Sequence, residues 1–273
     1  MNTRIAIIVA TYNWPEALNL CVRSLFHQTL LPDEIIIADD GSGESTRAAI
    51  ERLKAESPRP IKHIWHEDKG FRLCSIRNKA MAAAESDYII QVDGDCIFER
   101  HFVEDHMSVA KAGCFVCGSR VKLPAEESSR LLKGDGDYDT DGIRVSLSNP
   151  HFTNSLRIPL LKRVLAGLYG RKLQHLRGCN MAFWRDDLIR VNGYDENLQG
   201  WGHEDQEIAW RLKFAGVRKR VLKFGGICYH LDHKELAKDN EGIQLDVITN
   251  VRENRLTRCE NGIDRHMPNK PQN

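Results

Sequence analysis

Blocks of apolar and polar residues alternate along the N-terminal third of the chain. Ile5-Ala6-Ile7-Ile8-Val9-Ala10 is a continuous apolar run, which predicts a buried strand. It stops at the polar Thr11-Tyr12-Asn13, and Pro15 follows where a first helical turn accepts proline. Leu18, Cys21, Leu25 and Phe26 then recur at helical spacing. The cycle repeats. A strand over 34–38 ends at Asp39-Asp40-Gly41-Ser42, a helix covers 44–55 and a strand covers 61–65. A helix over 75–84 leads to a strand over 87–92. Strands alternating with helices predict an α/β fold, a mostly parallel central sheet flanked by helices. Ligands of such sheets bind beyond the carboxyl ends of the strands. The polar ends Thr11-Tyr12-Asn13, Asp39-Asp40 and Asp93-Gly94-Asp95 are therefore expected along one edge.

Residues 124–175 break the pattern. The stretch 133–142 is rich in Gly and Asp and predicts a mobile loop. Over 154–175, Leu156, Ile158, Leu161, Val164, Leu165, Leu168 and Tyr169 mix with Lys162, Arg163, Arg171 and Lys172. Two readings stay open: a basic amphipathic helix on an anionic membrane surface, or a helix packed on its own domain with solvated cations. A strand-like run follows over 177–184, then a helix over 187–191. Beyond Gly200-Trp201-Gly202-His203-Glu204-Asp205-Gln206-Glu207 comes an amphipathic helix with Ile208, Trp210 and Leu212. Strands are expected over 220–224 and up to Tyr229-His230, and the polar tail after Asn261 is expected to be poorly ordered. The chain thus divides into 1–123, an insertion at 124–175, 176–261 as the second half of the same domain, and a tail at 262–273.

Composition narrows the function classes. A hydrophobic content of 41% and a charged content of 28% are those of a soluble globular protein. A net charge of +1 argues against broad binding to nucleic acid. No apolar run reaches the roughly 20 residues that span a bilayer. The first apolar run is too short for a signal-peptide core. Eight scattered cysteines fit reduced thiols and a cytoplasmic setting. Cys114 and Cys117 have CxxC spacing with no second pair, which favours packed thiols over zinc.

The strand over 87–92 runs straight into Asp93-Gly94-Asp95. Side chains alternate faces along a strand, which puts both carboxylates on one face. Paired like charges call for a cation between them, and a hard divalent ion with open positions for phosphate oxygens fits. The competing reading is an ordinary strand-end turn, since Asp-Gly-Asp is turn composition.

Taken together, these motifs resemble an inverting glycosyltransferase of the family-2 type with the GT-A fold. Val9-Ala10-Thr11-Tyr12-Asn13 resembles the family's opening strand, and Asp39-Asp40-Gly41-Ser42 its nucleotide-binding turn. Arg77-Asn78 and Asp93-Gly94-Asp95 follow in the expected order. Trp201-Gly202-His203-Glu204-Asp205 resembles the Trp-Gly-Gly-Glu-Asp signature of β-1,4-galactosyltransferases and of bacterial chondroitin- and hyaluronan-type synthases. His203 departs from it, adding bulk and a titratable group.

The resemblance implies a UDP-sugar donor held by Thr11, Tyr12, Asn13, Asp40, Arg77 and Asp93. It implies Mn²⁺ or Mg²⁺ on Asp95, with His230 as a further ligand and His233 as its competitor. It makes Asp205 the general base and gives Trp201 and Glu204 to the acceptor. Arg77 has a second reading, an ion pair with a carboxylate. Asn78 has one as filler on a helix surface, and Glu204 and Asp205 have one at a helix N-terminus that would keep the base ionised. The implied partners are the donor and a glycan or lipid-linked glycan acceptor of bacterial surface polysaccharide synthesis. The membrane-surface reading of 154–175 adds peripheral contact with the inner face of the membrane. A sugar nucleotidyltransferase and a noncatalytic nucleotide-sugar-binding module are the alternatives. The former should carry a Gly-rich basic loop after the first strand, and Thr11-Tyr12-Asn13-Trp14-Pro15 is not one.

Overall fold

The structure is a computed structural model that describes residues 3–134, 142–168, 173, 176–198, 200, 202–234 and 241–267. The first half runs β1 (Ile5–Thr11), α1 (Pro15–Phe26), β2 (Glu34–Asp39), α2 (Glu44–Glu56), β3 (Ile61–Trp65), α3 (Leu73–Ala83) and β4 (Tyr88–Asp93). Next come β5 (Cys96–Phe98), α4 (Phe102–Val109), β6 (Cys114–Gly118), β7 (Val121–Lys122), α5 (Ala125–Lys133) and α6 (Pro159–Leu168). The remainder is β8 (Asn180–Trp184), α7 (Arg185–Val191), α8 (Glu204–Phe214), β9 (Arg218–Leu222), β10 (Cys228–His230) and α9 (Glu241–Glu253).

A seven-stranded sheet has the order β3-β2-β1-β4-β8-β6-β9. β1 is buried along its whole length, as a central parallel strand covered on both faces must be. Thr11 pairs with Asp39 and Ala10 with Asp93, so β1, β2 and β4 end level and present their polar ends along one edge. β8 runs antiparallel to both β4 and β6, which joins the two halves of the chain into one mixed sheet. Residues of α1, α2, α4 and α6 join one apolar cluster, and residues of α3, α7 and α8 join the other. A small sheet, β5-β10-β7, sets His230 opposite Cys96.

Several expectations need correction. α6 is shorter than the periodic stretch and its amphipathicity is reversed. Lys162 and Ala166 are buried, whereas Leu160 is 78% and Leu168 66% exposed. Lys162 pairs with Asp105 of α4, and Arg157 Nη2 joins at 2.9 Å. Burial pushes the Asp105 carboxyl up, but Arg157, Lys162 and the Gly226 amide outweigh it and hold it below its ordinary value. The cation therefore sits inside because a buried acid needs it. Most of the 133–142 stretch, and residues 169–172, 174 and 175, lie outside the described residues.

The tail is partly packed. Ile263 is fully buried, and its N–H donates to the Asn192 carbonyl at 3.0 Å. Asp264 N–H donates to Asn192 Oδ1 at 2.9 Å. The left-handed Asn192 after α7 supplies the acceptors that a polar composition does not advertise. α9 was not expected, because Ile243, Val247, Ile248 and Val251 give it a β-branched composition. Among the described residues no helix is long and apolar enough to cross a membrane.

Candidate active site

A cavity of about 220 Å³ opens at the level ends of β1, β2 and β4, lined by Thr11, Tyr12, Asp40, Asp93, Asp95 and His230 among others. Asp93 is the last residue of β4, while Gly94 and Asp95 form the turn into β5. Strand alternation therefore does not govern the pair, and the two carboxylates engage different partners. Asp93 Oδ1 accepts from Arg77 Nη2 at 3.0 Å, and Asp95 Oδ2 lies 3.0 Å from His233 Nε2 and 3.5 Å from His230 Nε2. Gly94 is needed for close approach. Its N–H donates to the Ala10 carbonyl at 2.7 Å, and a Cβ would sit 3.0 Å from that same oxygen.

Asp40 is buried at the cavity wall. Its Oδ1 lies 2.5 Å from His66 Nε2, and its Oδ2 accepts the Arg72 N–H at 2.9 Å. Each oxygen has a further lone pair for a base-edge donor. Asp39 instead serves the turn, accepting the Ser42 N–H at 2.8 Å and lying 2.9 Å from His63 Nε2. Thr11 accepts the Asp40 N–H through its carbonyl at 3.0 Å. Tyr12 is half exposed and its hydroxyl donates to Asp68 Oδ2 at 2.9 Å. Asn13 is engaged behind the wall: its N–H donates to Ser42 Oγ at 2.8 Å and its Oδ1 accepts the Gly43 N–H at 2.9 Å. Asn13, Arg77, Glu204 and Asp205 are not among the described lining residues.

The residues around Asp95 fit a divalent ion. His230 Nδ1 lies 2.9 Å from the Leu231 carbonyl, and His233 Nδ1 lies 3.0 Å from the Lys234 carbonyl. A carbonyl only accepts, so Nδ1 carries the proton in both rings and Nε2 points its remaining valence toward Asp95. Two neighbouring ligand atoms of one octahedral ion stand about 3 Å apart, close to the spacing of these nitrogens from Asp95. His230 is buried and His233 is one-third exposed. The hydrogen bond with Asp95 pushes the His233 imidazole up to about 9, so near neutral pH this ring holds Asp95 as a cation.

Arg77 joins this wall to the start of α8. Its side chain is buried, and besides Asp93 it donates from Nη1 to Glu204 Oε1 at 3.2 Å and lies 3.8 Å from Asp205 Oδ1. It also stacks on Tyr194, 5.4 Å from the ring centre. Of its two readings, the ion pair with carboxylates is what the structure contains. Asp205 lies in the first turn of α8, within 3.4 Å of the Tyr194 hydroxyl. Burial and then Glu204 push its carboxyl up to about 8, with Arg77 opposing and Asp93 adding to the rise. Burial thus works against the ionised form that a helix N-terminus favours. Gly178 leaves the carboxylate room, because a Cβ there would stand 2.6 Å from Asp205 Oδ2. His203 adopts φ 65°, a left-handed conformation that suits the glycine it replaces in the motif. Trp201 lies outside the described residues.

Sequence reasoning missed several participants. Asn78 is fully buried rather than filler: it accepts the Tyr194 N–H and donates to the Tyr194 carbonyl, both at 2.8 Å. Tyr194 and His66 carried no spacing signal. Cys96, Cys179 and Cys228 bring their sulfurs within 4.8 Å of one another beneath Asp95, from three separate segments of the chain. Arg120 and Lys122 line the cavity from β7 and its approach, outside any motif.

Residues 6–188 match glycosyl transferase family 2, and residues 168–234 match the N-terminal domain of galactosyltransferase. A chondroitin synthase of Pasteurella multocida (strain Pm70) is 27% identical over 255 residues, covering 88% of this chain. This chain spans only 26% of that protein's length. Staphylococcus aureus TarS, residues 1–349 in complex with UDP, superposes with a TM-score of 0.61 at 17% identity, covering 90% of this chain and 64% of that one. The mannosyltransferase PcManGT of Pyrobaculum calidifontis, in complex with GDP-Man and Mn²⁺, gives a TM-score of 0.58 at 19% identity, covering 86% and 59%. The family match spans most of the chain and the structural likenesses agree on the fold: this protein is a GT-A transferase belonging to glycosyl transferase family 2.

Proposed function

We propose that the protein transfers a hexose or N-acetylhexosamine from a UDP-sugar to a hydroxyl of a glycan acceptor, with inversion to a β-linkage. One observation carries this reading: buried Arg77 binds Asp93, at the cavity, and Glu204, beside Asp205, within one ion-paired cluster. A donor wall and a base are thereby fixed relative to each other, which a noncatalytic binding module does not need.

Asp40 accepts from the uracil edge, Thr11 and Tyr12 border the nucleotide, and Asp93 meets the ribose. Asp95 and His230 hold a divalent ion, Mn²⁺ or Mg²⁺, which when bound neutralises the diphosphate leaving group. The mixed carboxylate and imidazole donor set favours Mn²⁺. Asp205 takes the proton from the acceptor hydroxyl as that oxygen attacks the anomeric carbon opposite the diphosphate. Glu204 and Trp201 bind acceptor hydroxyls and a sugar face. Asn13 and Arg77 support the nucleotide from behind the wall. Support for the donor class comes from the UDP and GDP-Man complexes of the structural relatives, and for a polysaccharide product from the chondroitin synthase.

The outward row of Leu160, Leu161, Val164 and Leu168 on α6 supports contact with the inner face of a membrane, where a lipid-linked acceptor resides. A screen of UDP-sugars for Mn²⁺-dependent hydrolysis tests the proposal. Turnover of at least one, lost in Asp205→Asn with nucleotide binding kept, is expected. Failure of every UDP-sugar to bind or react sinks it.

A further inference from the structure

A second cavity, of about 1190 Å³, adjoins the first and shares Arg120 and Lys122 with it. Its charged lining has one sign. Arg120, Lys122, His151, Arg177, Lys219 and Lys223 line it, and among the described residues no carboxylate does. These basic residues come from four separate stretches of chain, so no motif announces them. Lys223 Nζ meets neutral oxygens, Thr153 Oγ1 at 3.2 Å and Asn154 Oδ1 at 2.9 Å. Arg177 Nη1 donates only to the adjacent Leu176 carbonyl, at 3.3 Å, among its described bonds. Unlike Lys223, the buried Lys162 is neutralised by Asp105 and the buried Arg211 by Glu207. Burial, and then Arg120, Lys122, Arg177 and Lys223, push the His151 imidazole below its ordinary value, which registers the crowding of positive charge.

The cavity's wall also borders the base. Arg177 lines it, the next residue is Gly178, and a Cβ on Gly178 would stand 2.6 Å from Asp205 Oδ2. Phe224 and Leu165 add apolar surface suited to the faces of sugar rings. A concave site walled by one sign of charge focuses its field and concentrates ligands of the other sign.

We propose that this second cavity is the acceptor channel and that its acceptor is a polyanion, a glycan bearing repeated carboxylate or phosphate groups. The inference rests on the transferase reading above for the word acceptor, but the binding of a polyanion can be measured without any donor.

The test uses the full chain and two defined oligomers, one alternating glucuronate with N-acetylhexosamine and one of glycerol phosphate. Each is compared with a neutral oligomer of equal length by titration calorimetry. At least one anionic oligomer should bind about tenfold or more tightly than its neutral counterpart, an advantage that shrinks as salt is added. The uronate and phosphate arms tell which anion is preferred. Arg177→Glu combined with Lys223→Glu should abolish the advantage while UDP affinity is kept, which certifies the fold. If that pair fails to fold, Lys223→Ala should give a smaller loss in the same direction. Equal affinity for anionic and neutral oligomers overturns the proposal, as does anionic binding untouched by these substitutions. Absence of UDP binding and of UDP-sugar turnover in the unaltered protein defeats the transferase reading instead, whatever the oligomers do.

Discussion

Arg77 on α3 donates to Glu204, the first residue of α8, at 3.2 Å across 127 positions of sequence. The bond is buried and shares its guanidinium with Asp93. Removing one partner of a buried charge cluster strands the others, at a cost of about 3–5 kcal/mol. Arg77→Ala should therefore lower the melting temperature and weaken UDP binding together. Arg77→Lys keeps the charge but not the two-pronged geometry, and should fall between. Loss of UDP affinity with an unchanged melting temperature would show that Arg77 contacts donor directly.

Asp205 predicts two pH effects of opposite sense. Its carboxyl stands near 8, so a base in this place is mostly protonated at neutral pH, and kcat/KM should climb as pH rises through about 8. Asp205→Asn should remove that limb and cost about 10²–10⁴ in rate. Stability runs the other way. A carboxyl raised on folding binds its proton more tightly in the native state, so its stabilising contribution is complete below the ordinary carboxylate range and is lost as pH rises through 8. Asp205→Asn should thus melt higher than the unaltered protein at alkaline pH, by a margin that shrinks as pH falls and vanishes only below the ordinary carboxylate range. Thermal melts across pH check the sign.

The metal prediction concerns competition. With His233 held near 9 by Asp95, an ion entering the site must displace that proton. Apparent Mn²⁺ affinity should rise with pH up to about 9 and level off above it. His233→Ala should flatten this dependence, whereas Asp95→Ala and His230→Ala should abolish Mn²⁺-stimulated UDP binding. Calorimetry with and without Mn²⁺ separates the cases. Retained stimulation in His230→Ala, lost in His233→Ala, would exchange the roles of the two histidines.

Regular structure was legible because local pattern decides it. Ile5 to Ala10 is apolar throughout since both faces of β1 are covered, and the polar ends of β1, β2 and β4 converge because parallel register makes them level. What was not legible depends on partners distant in sequence. Nothing near Lys162 says that it turns inward, since Asp105 lies 57 residues away. Nothing near Asp93 says that its partner is Arg77 rather than Asp95, because the turn at Gly94 ends the alternation. The reversed face of α6, the packed Ile263 and the cations of the second cavity are likewise products of tertiary assembly.

A purely structural prediction comes from Glu207 and Arg211. Both side chains are fully buried, with Arg211 Nε and Nη2 each 2.5 Å from a Glu207 oxygen, and Arg211 also donates to the Val191 carbonyl. The pair fastens α8 to the end of α7. Glu207→Ala should destabilise by about 3–5 kcal/mol, because an unpaired guanidinium remains inside. Replacing both residues with Met should recover much of that loss. Denaturant melts measure both, and an additive double variant would mean the two residues are not energetically coupled.

The place of β8 limits how this chain can be taken apart. It is made late, yet it lies between β4 and β6, both made early, and β9 then closes the far edge on β6. A cut between residues 142 and 168 would give one fragment holding β4 and β6 with a gap between them, and another holding β8, the strand that fills it. Neither piece contains both Arg77 and Asp205. The halves are therefore not modules to be exchanged between enzymes. They are obligate complements, and activity should return only when both fragments are folded together.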